Sequence, residues 1–224
     1  MKWEIVNVLS IYENLKSRIE ISRVKKLGIT LPNTPGGWSI GYDDILVLDK
    51  EIERFLQRES IHVLEFGSGI STYSIASRLE RSFKGRYCFY SFESDMEWYQ
   101  KTYEGIENLF PGMDAVKVIK TSYVNFENGD FNFDLEWCLS ILEQKLFDVI
   151  FVDAPPDTNG EDVRLNLCLR LISLLYPKGV LILHDTNRIN EMYAASMLRK
   201  FFLVSDTYET QKGITVFRLP RASV

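Results

Sequence analysis

The sequence predicts a doubly wound α/β domain: a mainly parallel sheet of seven strands, helices on both faces, a closing antiparallel hairpin and an N-terminal helical extension. Three observations lead there. From residue 61 onward, short apolar runs such as "IHVLEFG", "FDVIFVDA" and "GVLILHD" alternate with segments of helical period. These runs are apolar almost throughout, as strands covered on both faces are. The last segment, "FLVSDTYETQKGITVFRLP", holds two strand-like runs with no helix between them.

In chain order, residues 2 to 27 read as a helix, with Ile5, Val8, Leu9, Tyr12, Leu15 and Ile19 at three-to-four residue spacing. "LPNTPGGWSIGYDD" is rich in Pro, Gly and Asn and reads as an irregular connection. A second helix starts near Asp43 or Asp44 and runs through "ILVLDKEIERFLQ", its acids suited to the N-terminal end. Strands and helices then alternate. "IHVLEFG" precedes the helix "STYSIASRLERSF", "YCFYSFE" precedes "MEWYQKTYEGIENLF", and "AVKVIK" precedes "LEWCLSILEQ". "FDVIFVDA" precedes "EDVRLNLCLRLISLL", and "GVLILHD" precedes "INEMYAASMLRKF". The expected division is a helical cap over residues 1–60 and the α/β domain over 61–224.

Composition narrows the function classes. The formal net charge of −5 disfavours a polyphosphate-gripping protein, and so a nucleic-acid partner. The three cysteines have no metal-ligand spacing and sit in apolar runs, which suits buried thiols in a reducing compartment. No run approaches membrane-spanning length, and the N-terminus lacks a signal-peptide core. The expectation is a cytoplasmic protein, with homo-oligomerisation left open.

Ligands of open parallel sheets bind beyond the carboxyl ends of the strands, where "EFGSGIST" follows the first strand. Gly67 and Gly69 allow unusual dihedrals and close backbone approach, the minimum any tight strand-to-helix turn needs. A dinucleotide fingerprint would want a third small residue where Thr72 stands, and Glu65 at the entrance is ill suited to pyrophosphate. An acid there suits a cationic or amine-bearing ligand. Glu93, 24 residues after Gly69, is placed to accept from both hydroxyls of a ribose, or alternatively to start the next helix. Together these residues favour a nucleoside bearing an ammonium or sulfonium group.

"VLEFGSGISTYSIA", "FYSFESD", "FDVIFVDAPP" and "GVLILHDT" together resemble the ordered motifs of class I S-adenosylmethionine-dependent methyltransferases, over about residues 61–219. The resemblance implies S-adenosylmethionine as cofactor. Glu65 and Gly67 to Gly69, with Ser68 between them, would line its methionine portion, Glu93 would hold the ribose, and the Thr121-Ser122 pair would lie near the adenine. Phe66, Ser71, Thr72 and Asp153 would also belong to the cofactor site.

Methyl transfer from a sulfonium is an in-line displacement, so alignment and removal of the acceptor's proton are the main tasks. Asp153 ends the fourth core strand, and His184 and Asp185 end the fifth, with Asn187 just beyond. Asp153, His184 and Asp185 are the expected catalytic residues, and acids from two neighbouring strand tips could share one ion. That pattern resembles metal-dependent O-methyltransferases, which implies Asp153 and Asp185 as ligands of magnesium. The order His-Asp-Thr-Asn departs from the acid-Asn pair of the catechol type, so a third ligand is not defined. His184 reads either as a general base or as a hydrogen-bonded loop anchor, and His62 as a packed imidazole. Trp38 and Tyr42, on a glycine-rich segment, read either as part of a closing cover or as anchors of the linker. The expected activity is methyl transfer to a small molecule, with a hydroxyl oxygen as the favoured acceptor. Aminopropyl transfer and a non-catalytic cofactor-binding module are the alternatives.

Overall fold

The computed structural model describes residues 15–32, 39–125, 131–155 and 162–219. Ile5, Val8, Leu9 and Tyr12 of the first expected helix, and Trp38, lie outside them.

Helix α1 is described over 15–26, and α2 spans Tyr42–Glu53. The alternating unit follows as β1 (Ser60–Phe66), α3 (Ile70–Ser82), β2 (Arg86–Glu93), α4 (Met96–Leu109) and β3 (Val116–Lys120). A short antiparallel pair, β4 (Tyr123–Asn125) and β5 (Phe131–Phe133), leads into α5 (Leu135–Leu142). The second half is β6 (Phe147–Val152), α6 (Val163–Leu171), β7 (Leu175–His184), α7 (Ile189–Leu198), β8 (Val204–Tyr208) and β9 (Ile214–Arg218).

Seven strands form one sheet in the order β3-β2-β1-β6-β7-β9-β8, and the order reverses between β1 and β6. Strands β3 to β7 of this sheet run parallel, and β9 is antiparallel to both β7 and β8. The doubly wound sheet with its closing hairpin is therefore as the sequence predicts. The β4–β5 pair is additional, because three-residue strands are too short to show a period. Among the described residues, no helix is long and apolar enough to cross a membrane.

The sheet separates two apolar layers. On one face Val63, Val149, Phe151, Val180 and Ile182 pack with α2, α3 and α4. On the other, Leu64, Phe66, Ile150, Val152, Leu181 and Leu183 pack with α5, α6 and α7. Side chains alternate along a strand, so the parity of each tip residue decides which layer it joins. Glu65, Asp153 and His184 continue the rows that face α2 and α3.

Helix α2 is part of this core. Ile45, Leu48 and Ile52 are buried, each contributing roughly 1.5–3 kcal/mol. The same helix buries three acids, all ion-paired: Asp44 with His184, Asp49 with Arg78, and Glu51 with Arg218. In α1, by contrast, Val24 is buried while Leu15 and Ile19 are about half exposed.

Candidate active site

A cavity of about 370 Å³ opens beyond the carboxyl ends of the parallel strands. Its wall includes the turn after β1, the tips of β2 and β6, and the segment before α2, through Ser39 and Ile40.

The glycine turn is defined by close approach. Gly67 has φ +95°, and a Cβ there would lie 2.8 Å from the Ala154 Cβ and 3.2 Å from the Asp153 carbonyl carbon. Only glycine lets the two strand tips come this near. Gly69 begins α3 with φ +155°, and Trp98 is the nearest group to a Cβ built there. Thr72 then accepts the Gly69 N–H at 2.9 Å, closing the first helical turn.

Glu65 lies beneath this turn and off the cavity wall. It is fully buried, and its Oε2 accepts from Thr72 Oγ1 at 2.6 Å and from Ser91 Oγ at 2.5 Å. Its parity with Val63 sends it toward α3. Burial pushes its carboxyl up to about 7 against these hydrogen bonds. Phe66 packs in the opposite layer, edge-on to Phe133. Gly67, Ser68, Gly69 and Ser71 reach the wall, and Thr72 does not.

Glu93 lines the cavity and also holds the loops around it. Its Oε2 accepts the Ser68 N–H at 2.7 Å, and its Oε1 accepts those of Ser94 and Asp95 at 2.7 and 2.8 Å. Burial raises its pKa, opposed by these three backbone donors. This acid therefore organises the start of α4 and also faces the cavity. Ser122 is exposed and off the wall, and the β3 side of the cavity is formed instead by Ser94, Trp98 and Tyr123.

At the other end, Asp153 and Asp185 line the cavity, whereas His184 is fully buried behind them. His184 continues the row of Val180 and Ile182 and so points toward α2. Its Nδ1 lies 2.6 Å from Asp153 Oδ1, and its Nε2 lies 3.2 Å from Asp44 Oδ2. Burial opposes a charged ring, but these carboxylates outweigh it and push the pKa up to about 10. Carboxylates at both ring nitrogens favour the charged form of the ring. Asp153 shows the converse: burial disfavours its charge, yet His184, Arg164 and Lys212 hold its pKa below the ordinary value.

Asp185 has a left-handed φ of +61° and is held by two arginines. Its Oδ2 lies 3.3 Å from Arg164 Nη2 and 2.9 Å from Arg188 Nη1. Arg164 is itself buried, donating to the carbonyls of Pro155 and His184. One donor atom each from Asp153, His184 and Asp185 fall within 4.8 Å of one another, a grouping that invites a metal reading. As arranged, both acids are already paired with cationic side chains. Asp153 is paired with His184 and Asp185 with Arg164 and Arg188, while Asp44 and Glu191 pair in turn with His184 and Arg164.

Trp98, Tyr123, Arg164, Arg188 and Asp44 were not legible as site residues. An arginine within the apolar run "VRLNLCLRL" was the one available signal, since a buried guanidinium needs nearby acids.

A doubly wound sheet with an antiparallel closing strand, a glycine turn after β1 and an acid at the tip of β2 defines the class I S-adenosylmethionine-dependent methyltransferase fold. The chain belongs to the methyltransferase-domain family, whose profile matches residues 64–186, more than half of its length. Among solved structures, the O-methyltransferase from Bacillus cereus in complex with SAH is 14% identical, with a TM-score of 0.59, covering 91% of this chain and 90% of that one. Precorrin-6y C5,15-methyltransferase from Geobacter metallireducens is 9% identical, with a TM-score of 0.58 and coverage of 85% and 94%. The O-methyltransferase TomG from Streptomyces achromogenes, involved in tomaymycin synthesis and in complex with SAM, is 14% identical, with a TM-score of 0.54 and coverage of 81% and 82%. No curated protein matches the sequence. At these identities the likeness establishes the fold.

Proposed function

We propose that this methyltransferase carries the S-methyl group of S-adenosylmethionine to a hydroxyl oxygen of a small molecule, without a metal ion. The observation that carries the reading is that one cavity joins the glycine turn, Glu93 and Asp153. In this reading Glu93 receives the ribose hydroxyls, Gly67 to Gly69 and Ser71 face the methionine portion, and Trp98 and Tyr123 flank the adenine. Glu65 acts from beneath by holding Thr72 and Ser91.

Asp153 is the acid nearest the reacting end. As the acceptor oxygen attacks the methyl carbon, the carbon–sulfur bond breaks and sulfur keeps the electron pair. The acceptor's proton passes to Asp153 and then to solvent. A methylated hydroxyl that still carries its proton is a very strong acid, so a carboxylate held below its ordinary pKa suffices to take it. Residues 1–60 serve as the cover, with Ser39 and Ile40 on the cavity wall supporting that role. The free thiols Cys88, Cys138 and Cys168 support a reducing, cytoplasmic setting. Aminopropyl transfer and a non-catalytic module gain nothing from the comparisons.

The test is release of S-adenosylhomocysteine across a panel of hydroxyl, amine and carboxylate small molecules, each with and without chelator. Turnover restricted to hydroxyl compounds and indifferent to chelator is expected. Turnover only with amines, or only with added metal, would overturn the proposal.

A further inference from the structure

We propose that Asp44, on the N-terminal helix α2, is a positioning residue for the methyl-transfer site: through the buried His184 ring it fixes the Asp153 carboxylate in the cavity wall. The proposal rests on reading the cavity as the methyl-transfer site.

The geometry is a line of alternating charge that crosses three elements. Asp44 is fully buried near the start of α2, His184 ends β7, and Asp153 follows β6. Val152 and Leu183 are paired across β6 and β7, so Asp153 and His184 are the next residues of the same ladder. Both ring nitrogens of His184 face carboxylates, Nδ1 toward Asp153 at 2.6 Å and Nε2 toward Asp44 at 3.2 Å. The Nδ1 contact is hydrogen-bonded, whereas Nε2 meets Asp44 as an ion pair without hydrogen-bond alignment. Of the three, only Asp153 has appreciable side-chain exposure, 19%, and only Asp153 lines the cavity.

A ring in this position is held by both neighbours. With Asp153 alone, the imidazolium would be buried with one ring N–H facing no anion, an expensive arrangement. Asp44 supplies that anion, so the orientation of the ring, and with it the Asp153 oxygen it grips, depends on α2. Asp44 also accepts the Gly41 N–H at 2.7 Å, directly after the wall residues Ser39 and Ile40. One carboxylate thus ties both the cover's edge and the site's acid. Around this line, Asp185 Oδ1 lies 3.6 Å from Nδ1, Arg164, Lys212 and Glu65 act on Asp153, and Arg188 and Glu191 pair with Asp185 and Arg164 respectively.

The test uses the full chain, whose two histidines make imidazole NMR simple to assign with His62→Gln. In Asp44→Asn, which keeps an oxygen for the Gly41 N–H, the His184 titration midpoint is expected to fall by at least about one pH unit, and its Nδ1–H resonance to move upfield. Asp49→Asn removes another buried α2 acid, paired with Arg78, and serves as the control for general loosening of the helix. It should leave His184 unchanged. An unchanged ring in Asp44→Asn, or an equal change in Asp49→Asn, would overturn the positioning role. S-adenosylmethionine titrated into the wild type by calorimetry tests the underlying reading separately: absence of binding would sink the methyl-transfer site while the ring data still report on the Asp44–His184 coupling.

Discussion

The Glu93 carboxylate accepts the Ser68 backbone N–H at 2.7 Å, so the tip of β2 holds the glycine turn of β1 in place. One side chain thus shapes the loop and lines the cavity. Replacing it should damage both functions: Glu93→Ala is expected to weaken S-adenosylmethionine binding at least tenfold, about 1.4 kcal/mol, as read by calorimetry. An affinity within twofold of wild type would remove Glu93 from the ribose site.

Gly67→Ala tests the close approach of the β1 and β6 tips. The new Cβ would sit 2.8 Å from Ala154 at a φ of +95°, combining steric overlap with a strained backbone. A loss of about 2–4 kcal/mol in urea unfolding is expected, together with weakened cofactor binding. Gly112, with a positive φ but open space around it, is the matched comparison and should lose less when changed to Ala.

Glu65 offers a pH test on the protein without cofactor. Its carboxyl is raised from 4.5 to about 7 by burial, so the folded state keeps its proton longer than the unfolded state does. The contribution to stability is complete below about pH 4.5 and is lost as pH rises through about 7. Glu65→Gln keeps an oxygen for Thr72 and Ser91 and cannot ionise. Its stability relative to wild type should therefore climb between these pH values, by up to roughly 3 kcal/mol. A difference independent of pH would contradict the buried, raised carboxyl.

The charge-compensated cluster at Asp153, His184 and Asp185 predicts indifference to magnesium. A folded-state site filled at a hundred times its Kd would add about 2.7 kcal/mol, roughly 5–10 °C in a domain of this size. Millimolar magnesium should produce no such rise in the melting temperature, with or without S-adenosylmethionine. A rise of that size would show that the arginines and imidazolium give way to a metal.

Much of the fold was legible because the strands are buried on both faces and the helices carry clear periods. "FDVIFVDA" and "GVLILHD" could hardly be anything other than central strands. The turn at Gly67 and Gly69 was legible for the same reason, since few other residue patterns link such a strand to a helix. What the sequence hid was direction. A residue at a strand tip belongs to the loop crevice or to one of the two layers, and parity decides which only when the covering helices are known. Glu65, Glu93, Asp153 and His184 share one parity, but Glu65 pairs with Ser91 and Phe151, two residues deeper than Glu93 and Asp153. His184 is covered by Asp44 of α2, so only Glu93 and Asp153 of the four reach the wall. The acids Asp153 and Asp185 stood out as metal-like because their cations come from elsewhere. Arg164 reaches Asp185 from α6, 21 residues away in the chain, and no local spacing announces that contact, whereas Arg188 pairs with Asp185 at i,i+3.

The most direct measurement of the central claim is a calorimetric titration of S-adenosylmethionine into the purified wild-type chain, in chelator-containing buffer. Saturable binding of one molecule per chain, undiminished by the chelator, is the predicted result. Failure to bind under those conditions, with the protein folded by circular dichroism, would contradict the assignment of this cavity as the methyl-donor site.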